Sequence, residues 1–140
     1  MKSRFQKLVL LGLAAIVIAG CSQDQKPPAQ SVLVTVADET AARARLHAIA
    51  AAEAQYQVIS GGGYGTLDQL IEKGYVNDPS SGKLTGYRFE VQVKQGSFQA
   101  TAVPVQAGIS GTRSFYIDET YVIHGADKKG APATASDPEV

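Results

Sequence analysis

The chain has 140 residues, 13 basic and 13 acidic, so its formal net charge is zero; it contains one cysteine and no tryptophan. That length suits one modest domain. Balanced charge excludes a nucleic-acid footprint, and a lone cysteine excludes an internal disulfide.

The first element is a processing segment. Lys2, Arg4 and Lys7 precede an apolar run from Leu8 to Ile18, which closes on Ile18-Ala19-Gly20-Cys21. About eleven apolar residues fall short of the roughly 20 that span a hydrocarbon core, so the run reads as an export signal rather than an anchor helix. The stretch resembles a bacterial lipobox. That resemblance implies cleavage between Gly20 and Cys21, with Cys21 carrying diacylglycerol and a further acyl chain, enough for stable anchoring. Loss of residues 1–20 removes three basic residues and leaves 10 − 13 = −3. By the same resemblance, Ser22 rather than Asp after the cysteine favours the outer membrane, facing the periplasm.

Residues 21–37 read as a polar, proline-bearing tether containing Pro27 and Pro28. Within it, Ser31 to Val36 is β-branched and fits either a short strand or a helix lead-in. The folded domain is expected over residues 38–125. A helix from about Asp38 to Ile59, capped by Asp38 or Thr40, carries Ala42, Leu46, Ile49, Ala52, Glu53, Tyr56 and Ile59 along one stripe. Gly61 to Gly65 break the chain. A second short helix follows, with Thr66 as cap, Gln69 in the capping-box position, Leu67, Leu70 and Ile71 turned inward, and Gly74 as terminator. No lysine stands at Walker spacing after the glycines, and no strand precedes them, so they form no phosphate loop.

An antiparallel meander completes the domain. Tyr87, Phe89, Val91 and Val93 alternate with polar residues, Gln95-Gly96 turns, and Phe98, Ala100 and Ala102 return towards Pro104. After a loop from Val105 to Thr112, Ser114–Ile117 and Tyr121–His124 form a second hairpin around Asp118-Glu119-Thr120. The fold class is α+β, a long helix on a small antiparallel sheet. Residues 126–140 lack periodicity and read as a disordered tail.

Tyr64-Gly65-Thr66-Leu67, Gly74-Tyr75-Val76, Gly86-Tyr87-Arg88-Phe89, Ala100-Thr101-Ala102 with Pro104, and Gly111 to Asp118 leading to Val122-Ile123 together resemble, in order, the globular head of type IV pilin-like and type II secretion pseudopilin-like proteins. The resemblance implies an interaction or assembly role without catalysis or cofactor. The chain departs from those families in lacking their long apolar N-terminal shaft after a prepilin-type site. A lipid stands in its place. Alternatives are a stand-alone envelope lipoprotein and a calcium- or small-ligand-binding periplasmic module.

Candidate chemistry is sparse. His47 and His124 are the histidines, with no acid or hydroxyl fixed beside either by sequence. Gly108-Ile109-Ser110-Gly111-Thr112 lacks the second glycine of a nucleophile elbow. Asp118 and Glu119 are weak calcium candidates, since a full site needs six or more oxygens. Asn77 to Gly82 reads as a turn.

Overall fold

The computed structural model describes residues 29–80 and 86–140. The signal, Gly20, Cys21, the proline-bearing part of the tether, and Ser81 and Gly82 of the turn lie outside the described residues. Within them, helix α1 (Ala29–Ser60) packs on one face of a four-stranded antiparallel sheet with α2 (Leu67–Glu72) beside it. The architecture is α+β. No described helix is long and apolar enough to cross a membrane.

Helix α1 has 32 residues, which at 1.5 Å per residue makes it about 48 Å long. It starts well before the expected Asp38. Val32, Val34, Thr35 and Val36 disfavour helix by only tenths of a kcal/mol each, and the alanine-rich body that follows propagates its winding through them. Asp38 and Thr40 are therefore interior positions rather than caps, and the Thr40 hydroxyl donates back to Val36 O at 2.9 Å. The tether reading of residues 29–37 is corrected accordingly.

The stripe works as expected from Ala42 to Tyr56, which packs half-buried against the core, and fails at Ile59. Leu46, Ile49, Ala50 and Glu53 are fully buried, whereas Ile59 is 68% exposed because the helix has by then run past the sheet. Gly62 N donates to Gln57 O at 2.9 Å as the helix ends. The second helix follows its expected grammar: Thr66 accepts from Gln69 N, and the Gln69 side chain accepts from Thr66 N at 2.9 Å. Gly74 N to Ile71 O and Tyr75 N to Leu70 O then close it as a Schellman motif.

Strands β1 (Tyr87–Lys94), β2 (Ser97–Pro104), β3 (Ser114–Asp118) and β4 (His124–Ala126) lie in sequence order. Lys94 pairs with Ser97 across the Gln95-Gly96 turn, where Gly96 takes φ +76°, a value that glycine adopts without steric cost. On β2, Ala100 and Ala102 are small and buried, so α1 can approach the middle of the sheet between larger residues such as Tyr87, Phe98, Phe115 and Ile117. A fully buried ring of this kind contributes about 2–3 kcal/mol.

Two expectations are corrected at the C-terminal end. The second hairpin closes later than expected: Tyr116 pairs with His124, and residues 119–123 form its loop. Tyr121 has φ +63° and its hydroxyl donates to Ala50 O of α1 at 3.2 Å, so this residue crosses to the helix instead of extending β4. The expected disordered tail is ordered. Gly125 N donates to Pro138 O at 2.8 Å and Val140 N to Ile123 O at 3.0 Å, placing the last residues along the free edge of β4. Ala133 is buried, and Asp137 accepts from Thr134 N at 2.7 Å and pairs with Lys128 at 3.0 Å.

Candidate functional site

The N-terminal part of α1 and the 105–113 loop enclose a groove of about 580 Å³ lined by Val32, Val36, Glu39, Ile109, Thr112 and Arg113, among others. Local turns shape the loop. Gln106 O accepts from Ile109 N at 3.0 Å and Ser110 N at 2.9 Å, while Gly108 N donates to Gly111 O at 2.8 Å. Ile109 is thereby carried to the loop tip, 69% exposed, and its carbonyl accepts from the Thr35 hydroxyl at 3.3 Å.

Glu39 locks the base of this groove. Its Oε1 accepts from Thr112 N at 2.9 Å and Arg113 N at 3.1 Å, and its Oε2 accepts from Arg113 Nε at 3.1 Å and Nη2 at 3.0 Å. The bidentate fork on a largely buried carboxylate fixes both orientation and charge balance. Burial alone would raise the Glu39 pKa, but the Thr112 N–H and the two Arg113 groups outweigh it and hold the carboxyl below its ordinary value. The Arg113 guanidinium lies 5.6 Å from the Phe115 ring centroid, and Tyr87 OH donates to Arg113 O at 2.7 Å. Loop, helix and sheet meet at this one ion pair.

Further along α1, Glu53 is fully buried in contrasting surroundings. Its Oε2 accepts from Gly65 N at 2.8 Å, tying α1 to the α1–α2 connection, while Oε1 has no hydrogen-bond partner. Burial raises its pKa, opposed only in part by the Gly65 N–H.

Sequence-predicted candidates fall elsewhere. His47 is exposed on α1. His124 lies in β4, its Nδ1 2.7 Å from Asp137 O and its ring against Tyr116. Ser110 Oγ accepts from Gln106 N at 3.0 Å within its own turn. Asp118 is already engaged: Oδ1 accepts from Thr120 N at 2.9 Å and Thr120 Oγ1 at 2.6 Å, and Oδ2 from Tyr116 OH at 3.0 Å. Its carboxyl, which burial would raise, is held low by these donors, and the Tyr116 hydroxyl, burial acting first and Asp118 second, is pushed up to about 12. Glu119 beside it is exposed. Among the described residues no group of three or more His, Cys, Asp or Glu is placed to hold a metal ion. Asp78 accepts from Ser80 N at 2.8 Å in the expected turn, and Arg45 bonds the carbonyl of Pro79.

Sequence reasoning passed over Glu39 and Arg113. Glu39 stands in phase with Ala42, Leu46, Ile49 and Glu53, so extending the stripe back by one turn would have placed a carboxylate on the buried side. Nothing in the local sequence marks Arg113 as its partner. Against known protein families, curated proteins and solved structures, the chain matches none.

Proposed function

We propose that the protein is a lipid-anchored component of the bacterial cell envelope, presenting a pilin-like head for interaction or assembly with a pilus or secretion system. Cys21 carries the lipid after cleavage at Gly20, and the head faces the periplasm from the outer membrane. It is not a catalyst. The reading is carried by one observation: α1 buries its middle, from Glu39 to Glu53, and packs on a four-stranded meander, while its N-terminal turns run beyond that buried stretch with Val32, Leu33, Val34 and Val36 more than half exposed. A helix that outruns its own head and keeps apolar side chains in the open is organised for contact with something beyond the domain.

Mass spectrometry of the purified native protein should find a thioether-linked diacylglycerol on residue 21, and Cys21→Ser should release the head or leave its signal uncleaved. Photo-crosslinkers placed on the exposed strand β1 in intact envelopes should recover pilus or secretion-system subunits. An unmodified thiol refutes the anchor, and crosslinks confined to unrelated porins or to nothing refute the assembly role.

A further inference from the structure

We propose that the N-terminal end of the head is a membrane-seating collar, in which Val32, Leu33, Val34, Val36 and Ile109 dip into the lipid surface that holds the anchor. The proposal rests on the lipid-anchored reading above and adds an orientation to it. Three observations carry it.

The first is clustering. Eleven large hydrophobics are exposed among the described residues, and Val32, Leu33, Val34, Val36 and Ile109 belong to this end, against Val58 and Ile59 at the far end of α1. Thr35 bonds Ile109 O, so the loop tip stands level with the helical part of the set. At 100° per residue, Val32 and Val36 share the groove side of the helix while Leu33 and Val34 point away from it. The apolar set therefore spans about 200° of the helix circumference, wider than one stripe, which suits a fluid medium better than one docked protein face.

The second is charge. Neither Ala29–Ala37 nor Val103–Thr112, the two segments that build this end, contains an acidic or basic residue. The first ionic group above them is Asp38, half-buried and outside any ion pair among the described residues, followed by Glu39 and Arg113, which neutralise each other at 3.0 Å. A lipid interface would meet apolar side chains and the hydroxyls of Thr35, Ser110 and Thr112, with no unpaired charge from either segment to desolvate.

The third is reach. Seven residues lie between Cys21 and Ala29, eight steps along the chain, so the covalent connection cannot exceed about 29 Å, and the collar is held at high local concentration over the bilayer. Val32 to Val36 rise about 6 Å along the helix, which matches the depth of about 5–10 Å to which interfacial apolar groups insert.

The chain lacks tryptophan, so single replacements report depth without background. Leu33→Trp, Ile109→Trp and Val58→Trp each change an exposed residue and should leave the thermal melt unaltered. Each full-length protein is reconstituted into phosphatidylcholine vesicles with brominated acyl chains, and residue 21 of the same sample is read by mass spectrometry. The indoles at 33 and 109 should be blue-shifted and quenched several-fold more strongly than the indole at 58. Equal or absent bromine quenching in membrane-associated protein overturns the collar. So does an indole at 33 shielded from both bromine and aqueous iodide, since a second copy would then cover it. An unacylated residue 21 brings down the anchor alone, because the quenching ratio still decides the collar.

Discussion

Glu39 and Glu53 lie on the same side of α1 about four turns apart, and the helix treats them in opposite ways. Glu39 accepts four hydrogen bonds from Thr112 and Arg113, whereas Glu53 accepts one from Gly65 and leaves Oε1 unpaired. Both are buried, at 8% and 0% exposure, so solvent does not set the difference. What differs is the facing element. Near Glu39 the chain supplies a loop with two backbone donors and a guanidinium, and the carboxylate joins three elements. Near Glu53 it supplies one backbone N–H, that of Gly65. Burial of an acid stabilises a fold only as far as its surroundings replace the lost water.

The Glu39 end can be broken at three depths. Phe115→Ala should act most strongly, at about 3–5 kcal/mol, because the ring is fully buried and also supports the Arg113 guanidinium. Phe89→Ala should cost less, since that ring is only partly buried at the sheet edge. Chemical denaturation of the pair measures the gap. Gly111→Ala comes next: an added Cβ would stand 2.0 Å from Tyr87 Oη, so the ring must withdraw and surrender its bond to Arg113 O, at about 2–3 kcal/mol. Glu39→Ala should cost about 2 kcal/mol, because Thr112 N and Arg113 N lose their acceptor and the partly exposed guanidinium is rehydrated. All three should loosen the 105–113 loop, read as faster amide exchange at Thr112 and Arg113.

Local chemistry was legible wherever it was self-contained. Thr66 with Gln69, Gly74 as helix stop, and the Gln95-Gly96 hairpin depend on residues within a few positions of one another, and each forms as its pattern suggests. The misses depend on distant partners. Residues 29–37 look like tether or strand until they are seen as the continuation of a helix whose body is fixed by the sheet. The 126–140 segment has no periodicity because much of its order comes from backbone bonds to Ile123 and Gly125 and from the turn around Asp137. Likewise the groove needs Glu39 and Arg113, 74 positions apart, to meet. Hydrophobic phase could place Glu39 on the buried side, but only the fold supplies its counter-ion.

The pH dependence gives the smallest effect and separates the two glutamates by sign. The folded state holds the Glu39 carboxyl below its ordinary 4.5, so the unfolded chain takes up this proton first and the stabilisation is lost as pH falls from 4.5 through the folded value. The folded state raises the Glu53 carboxyl above 4.5, so here the native protein binds the proton more tightly, and stability declines as pH rises from 4.5 through that higher value. Glu53→Gln keeps an acceptor for Gly65 N and cannot ionise. Its stability relative to the parent should be near zero in acid and should grow with pH to about 1 kcal/mol, the scale of one poorly satisfied buried group. Glu39→Gln should do the reverse, with its deficit largest at neutral pH and vanishing in acid. Urea denaturation of both variants across pH 3 to about 8 supplies the two difference curves. Curves of the same sign would mean that the helix does not distinguish its two buried acids.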